Sequence, residues 1–328
     1  MQTLRDIGEQ KLLDLLRERF QHTAEDLLKG IGDDSAVLKI DTSAVLISTD
    51  TMAEGIHFLP SLFTPYQIAY KLVVSNVSDI HAMGGKARWV LLNLSLPEDT
   101  EDEFLDNFLK GLQQGLNRYN LSLIGGDITG CDRAVFTITI LGFGNKRIIT
   151  REGARMGDRI YLTGPVGEAA CGLELIKSIG HPVKIEEDES LELNIDWQHA
   201  KVVLERFLLP TLPSVPEPLD SITSMIDVSD GLFIDLWRLC RESNVGARLY
   251  EEQLPCSRAL DRVATFLEID PYSMIIAGGE DYQLLFTSSE ELDNYYRIGE
   301  ITKEGLSIVR TDGSEEAITP LGFQHFGT

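Results

Sequence analysis

The sequence predicts an α/β protein in two domains, residues 1–147 and 148–328, the second an α+β unit. Two observations carry this. Short β-rich runs alternate with helical periods through the first half. The polar stretch Asn145-Lys146-Arg147 then separates them from a second series of strands and helices that alternate less cleanly. No run of about 18 apolar residues interrupts either half, so the 43% hydrophobic content is available for buried cores.

In chain order, Ala36–Ile40 and Ala44–Ser48 read as strands joined by the hairpin signal Asp41-Thr42-Ser43. Thr64-Pro65 opens a helix as N-cap and first helical residue, Gly84-Gly85 closes it, and Ala69, Leu72, Val73, Val77 and Ile80 form its apolar face. Trp89–Leu96 is a buried-strand candidate. Thr100 with Glu103 makes a capping box for a helix ending near Tyr119. Val135–Leu141 alternates in the strand manner. In the second half a strand at Arg159–Thr163 turns at Gly164-Pro165-Val166-Gly167 into a small-residue helix beginning at Glu168. His181–Asp196 is acidic without an apolar period and reads as an exposed excursion. Pro210, Pro213, Pro216 and Pro218 mark a loop.

Composition excludes several classes. With 29 Lys plus Arg against 52 Asp plus Glu, the net charge of −23 argues against nucleic acid and anionic membrane as partners. Much of that acidity, such as Glu186-Glu187-Asp188-Glu189, reads as solvated surface. Charges in Met1–Asp6 occupy the place of a signal peptide's apolar segment, which points to the cytoplasm. Cys131, Cys171, Cys240 and Cys256 are scattered, with no C-x-x-C pair, and read as plain core or surface thiols.

Five motifs set carboxylates beside glycine, serine or threonine: Gly32-Asp33-Asp34, Ser48-Thr49-Asp50-Thr51, Ser78-Asp79, Gly125-Gly126-Asp127 and Asp227-Val228-Ser229-Asp230-Gly231. Each alone is ordinary turn or N-cap chemistry. Asp50, Asp79 and Asp127, however, fall late in apolar runs, where scaffolds present chemistry. Converging aspartates repel unless a cation joins them, and oxygen ligands without clustered histidine favour Mg²⁺. Gly125-Gly126 allows the main chain to approach a phosphate. The chain has no G-x-x-x-x-G-K-[ST], no G-x-G-x-x-G and no H-R-D loop, so P-loop, Rossmann and protein-kinase readings lack their anchors.

Taken in order, and joined by Glu54-Gly55-Ile56-His57-Phe58 and Gly278-Gly279-Glu280-Asp281-Tyr282, these motifs resemble the thiamine-monophosphate kinases of the AIR-synthetase-like (PurM) superfamily. The resemblance runs from about Ile31 to Phe326. It implies a PurM-like two-domain architecture, with an N-terminal mixed sheet and helices that pairs across a homodimer and a C-terminal α+β domain. It also implies direct phosphoryl transfer from ATP to thiamine monophosphate, with several Mg²⁺ ions and no phospho-enzyme. Carried over residue by residue, the implied magnesium ligands are Asp34, Ser48, Thr49, Asp50, Asp79, Asp127, Asp227 and Asp230, with Asp50, Asp127 and Asp227 central to catalysis. Nucleotide contacts fall on Gly126, Asp127, Arg151 and Ser229, and acceptor contacts on His57, Glu280 and Phe323.

These assignments agree with elementary chemistry. Phosphoryl transfer rests on positioning and cation neutralisation. Arg151 offers a planar fork of donors, while Glu280 and Phe323 suit an organic cation by charge and by π-face. His57 also fits an ordinary half-buried histidine, and Phe323 a core-packing residue. Ile128 and Gly85-Lys86 depart from the family pattern. Among relatives, a selenophosphate synthetase would need a reactive Cys near the N-terminus, and none precedes Cys131. A hydrogenase-maturation dehydratase would need a C-terminal Cys, where this chain ends His325-Phe326-Gly327-Thr328. AIR synthetase is the runner-up enzyme, and a nucleotide- or metal-binding regulator without catalysis is the alternative of another class.

Overall fold

The computed structural model describes residues 27–29, 36–40, 43–144 and 147–325. The first half builds a six-stranded sheet from β1 (Leu27–Lys29), β2 (Ala36–Ile40), β3 (Ser43–Ala53), β4 (Lys86–Leu96), β5 (Ser122–Gly130) and β6 (Val135–Phe143), in the order β1-β2-β3-β6-β4-β5. Only the β4–β5 pair is parallel, as the crossover through α2 (Asp102–Arg118) requires. Alternation along β6 turns Phe136, Ile138 and Ile140 into the core, against Leu72, Val73, Val77 and Ile80 of α1 (Pro65–Ala82). On the other face Thr49 meets Thr139 and Thr51 meets Thr137 through their hydroxyls, at 3.1 and 2.8 Å. β5 is an edge strand, exposed along its whole length.

The start of α1 follows from its sequence: Thr64 accepts from Gln67 N, the Gln67 side chain returns to Thr64 N, and Pro65 follows the cap. Burial goes beyond the expected face, because α1 also packs against β8 and α4 of the second half; Gln67, Lys71, Asn76 and Ser78 are inside as well. The capping box expected at Thr100 and Glu103 does not form. Thr100 spends its N–H and its hydroxyl on Pro97 O, at 3.1 and 2.8 Å, closing a turn that shifts the N-cap to Glu101.

The second half forms a seven-stranded sheet in the order β13-β12-β9-β11-β7-β10-β8. Its strands are β7 (Arg159–Leu162), β8 (Ile222–Asp227), β9 (Gly246–Tyr250), β10 (Leu284–Ser288), β11 (Tyr296–Thr302), β12 (Leu306–Val309) and β13 (Glu315–Ala317), antiparallel except for β9 with β12. The helices are α3 (Glu168–Ile179), α4 (Trp197–Leu208), α5 (Leu232–Ser243), α6 (Arg258–Phe266) and α7 (Pro271–Ala277). Both halves are mixed α/β structures, as expected.

The 181–196 segment is not the exposed excursion expected. Val183 and Ile185 are buried, and Leu191, Leu193 and Ile195 pack on the core. Glu186 accepts from Thr64 Oγ1 and Gln67 Nε2, both at 2.7 Å, so it seals the start of α1 rather than facing solvent alone. Leu191, Leu193 and Ile195 alternate with polar residues at a strand-like spacing of two, as do Val183 and Ile185, a signal that the acidic composition of the segment masked. Cys171 and Cys240 are buried and all four thiols are free. No helix among the described residues is long and apolar enough to cross a membrane.

Candidate active site

The site is built where α1 lies between β3 and β8. Asn76 and Asp79 stand three residues apart and face β3: Asp50 N donates to Asn76 Oδ1 at 3.0 Å, and Ser48 Oγ donates to Asp79 Oδ2 at 2.5 Å. Asn76 is itself held by donating from Nδ2 to Leu72 O at 2.9 Å. Ser78 projects from the other side of the helix and donates to Asp227 Oδ2, at the end of β8, at 2.5 Å; both residues are buried. Thr49 points to the opposite face of β3, where its hydroxyl donates to Ile138 O at 2.9 Å. Any service of Thr49 to a cation beside Asp50 therefore falls to its main-chain carbonyl.

The turn after β8 is organised by a residue that motif reading passed over. The fully buried Asp235, four residues beyond Gly231, takes the amides of Ser229, Asp230 and Gly231 on Oδ2 at 3.1, 3.0 and 3.1 Å. Arg238 bonds Asp235 Oδ1 at 2.8 Å and also reaches Asp230. Burial, and then the charge of Asp230, push the Asp235 carboxyl up to about 7, against the pull of Arg238. The signal for this pair was an Asp and an Arg three apart at a helix start.

Across from this turn runs the 278–283 loop. Glu280 N donates to Ser229 O at 2.8 Å and Tyr282 N to Val228 O at 3.0 Å, with Glu280 and Tyr282 both in the left-handed region. A Cβ on Gly279 would lie 2.4 Å from Ser229 O, so this close approach needs glycine. Asp281 turns away from the site and caps α3, accepting from Gly167 N at 2.5 Å and Ala169 N at 2.9 Å. The buried Tyr282 hydroxyl is raised well above its ordinary pKa by burial, then by the charges of Glu280, Asp50, Asp227 and Asp230. Four carboxylates from three separate parts of the chain thus act electrostatically on one side chain.

The expected acceptor residues also meet. Phe323 N donates to Asp230 O at 2.9 Å, which draws the C-terminal segment over the turn. His325 then stands between Phe323 and His57, with ring centres 4.8 and 5.3 Å apart. Ala53 N donates to His57 Nδ1 at 3.1 Å, so the neutral ring carries its proton on Nε2. Burial, followed by the neighbouring His325, lowers the His57 pKa, and Glu280 opposes them.

The Arg151 carbonyl accepts from Ser243 Oγ at 2.7 Å, at the C-terminal end of the helix that begins after the Asp230 turn, and the charge of Arg151 acts on Asp235 and Arg238 within that helix. Beside Arg151 a cavity of about 180 Å³ is lined by Arg147, Thr150, Glu152, Arg155 and Thr223, among others. Asp127 sits on β5 in the cross-strand row of Asn93, Thr137 and Thr51, one row from Asp50 and so on the opposite face of the sheet, and accepts from Thr129 Oγ1 at 3.2 Å. Gly126 precedes it with φ +152°. Asp34 lies outside the described residues. Among the described residues no three His, Cys, Asp or Glu side chains form a ready-made metal cage.

Residues 32–145 match the family described as AIR synthase related protein, N-terminal domain, and residues 155–312 match AIR synthase related protein, C-terminal domain. Fold and site thus define a two-domain protein of the AIR synthase related class. Within that class the chain belongs to the thiamine-monophosphate kinase family. It is 32% identical over 330 residues to the thiamine-monophosphate kinase of Aquifex aeolicus (strain VF5), covering 98% of this chain and 99% of that one. It is 36% identical over 344 residues to that of Escherichia coli (strain K12), with the same coverage. A solved structure described as AaThiL complexed with AMPPCP and TMP matches with a TM-score of 0.83 at 28% identity, covering 99% of both chains.

Proposed function

We propose that this protein transfers the γ-phosphoryl group of ATP directly to the phosphate of thiamine monophosphate, giving thiamine diphosphate and ADP. The observation that carries the reading is the geometry about α1, where Asn76 engages Asp50 and Asp79 engages Ser48 on one side while Ser78 engages Asp227 on the other, beside the Asp230 turn, Glu280 and the His57, Phe323 and His325 rings. Membership of the kinase family supports it, as does the relative solved with a nucleotide analogue and TMP.

The donor chemistry fits magnesium. Every candidate group, from the Ser48 hydroxyl and the carboxylates of Asp50, Asp79, Asp227 and Asp230 to Asp127 and Asp34, offers oxygen. Mg²⁺ ordinarily takes only one or two carboxylates and fills its shell with water and phosphate, so a three-carboxylate cage is not required. A magnesium ion held by these groups would supply charge neutralisation to the transferring phosphoryl oxygens.

The remaining work falls to the chain itself. Gly126 lets the β5 main chain approach a phosphate, and Arg151 and Ser229 face the nucleotide. His57, Glu280 and Phe323 hold the acceptor, with the carboxylate and the π-face toward its cationic part. The acceptor oxygen is ionised at neutral pH and needs no strong base. The same reading takes 1–147 and 148–328 as the two domains, a homodimer as the assembly and the cytoplasm as the location. The test is to supply thiamine monophosphate, ATP and Mg²⁺ and to measure thiamine diphosphate and ADP, expected in equal amounts. Phosphorylation of unphosphorylated thiamine at a comparable rate, or ADP without thiamine diphosphate, would overturn it.

A further inference from the structure

Lys71 is fully buried in the middle of α1, with its Nζ 3.9 Å from the centre of the Phe207 ring and 5.6 Å from that of Phe63. A buried ammonium is tolerated only with a counter-charge. Its ion-pair partner is Glu280, whose Oε2 lies 2.9 Å away, and the charge of Asp281 adds a smaller attraction. The Lys71 side chain is 0% exposed and that of Glu280 is 32% exposed, so the pair has a closed end in the core and an open end at the site. Burial lowers the Lys71 pKa, and the Glu280 charge opposes this only in part.

The Glu280 backbone is fixed independently of this pair. Its N–H is spent on Ser229 O at 2.8 Å, its φ is +66°, and Gly279 presses on Ser229 from the same side. Rotation of the side chain is then the remaining freedom, and Lys71 takes it away by engaging Oε2. A long, flexible carboxylate left without that partner would swing into water and lose orientation on each binding event.

We propose that Lys71 is a positioning residue for the acceptor: its ammonium holds Oε2 of Glu280, so that Oε1 is presented to the positively charged part of the incoming organic phosphate. The two aromatic rings contribute by shielding the ammonium from water and by facing it with their π-electrons, which keeps the cation from seeking another partner. This rests on Glu280 contacting the acceptor, as stated under the proposed function.

The experiment compares Lys71→Met, Glu280→Gln and the double variant with the parent, reading kcat, the KM for thiamine monophosphate, the KM for ATP and thermal unfolding. Methionine keeps the bulk against Phe63 and Phe207 and removes only the charge; Lys71→Gln is the second variant should methionine fail to fold. Each single change is expected to raise the acceptor KM about 10-fold, the size of one hydrogen bond to a charged group, while the ATP KM holds. The double variant should be no worse than Glu280→Gln alone, because Lys71 acts through Glu280. If Glu280→Gln raises the acceptor KM and neither Lys71 variant does, the positioning role is wrong and the pocket stands. Losses that add in the double variant, or that raise both KM values alike, assign Lys71 to packing and also overturn the role. If Glu280→Gln leaves the acceptor KM unchanged, the pocket reading fails and this inference with it.

Discussion

Gly126→Ala tests how β5 carries Asp127. A Cβ at Gly126 would stand 1.7 Å from Leu92 O and 2.6 Å from Leu92 C, both main-chain atoms of β4. β4 lies between β5 and β6, so Leu92 cannot retreat, and the edge strand must move instead. Restoring even a 3.0 Å approach takes a shift of about 1.3 Å. The residue would also be held at a φ that costs about 1–3 kcal/mol without glycine. With one or two ladder hydrogen bonds lost at about 1 kcal/mol each, the destabilisation comes to roughly 2–5 kcal/mol. A displacement of about 1 Å in a phosphate-facing group is expected to cost about 100-fold in kcat. The control is Gly125→Ala, whose Cβ meets only the Leu91 Cδ2 methyl at 3.3 Å, a side-chain end that can rotate away. The assays are turnover and amide hydrogen exchange along 122–130. If Gly126→Ala keeps kcat within about threefold of the parent and its β5 amides stay protected, the close-approach argument is refuted.

Asp50→Asn should lower kcat by about 100- to 1,000-fold with the fold intact by circular dichroism, and a chelator should abolish turnover of the parent; near-normal turnover in either case sinks the metal-site assignment. His57 has a folded-state pKa below its ordinary 6.5, so between the two values the unfolded chain binds a proton that the folded chain does not. Stability is therefore lost as pH falls from 6.5 through the folded pKa, and unfolding of His57→Gln should depend less on pH there than that of the parent; parallel profiles would show that the ring is not held neutral. The exposed β5 edge, with Leu123, Ile124 and Ile128 open to solvent, leads us to expect twice the chain mass by light scattering, and a monomeric active species would refute the dimer.

Local chemistry was legible where a residue type has a single outlet. Thr64-Pro65 could begin a helix and little else, and the structure uses both residues that way. Thr100 had two outlets, Pro97 O and the amide of Glu103, each three residues away, and the structure uses the turn to Pro97. The all-round burial of α1 was hidden for another reason. Lys71 and Ser78, seven residues apart, look like a solvent face in a helical period with Asn76 across from them, yet all three are polar contacts of a helix enclosed on two sides. Asp235 was missed because its three amide partners precede it, so the motif looked complete at Gly231. The meeting of Asp50, Asp227 and Glu280 is a matter of tertiary geometry that spacing along the chain does not encode.

The position of α1 between two sheets has a consequence for which changes of length the protein can tolerate. One added or deleted residue turns every later side chain of an α-helix by about 100° and displaces it by about 1.5 Å. Between Asn76 and Asp79 such a change would carry Asp79 away from Ser48 and Ser78 away from Asp227, undoing both anchor points at once. The loops that flank the helix have no such double commitment. Variation in chain length should therefore gather before Thr64 rather than in the short 83–85 turn, which leads at once into β4, while the count of residues within α1 behaves as a fixed gauge against which the two halves of the molecule are set.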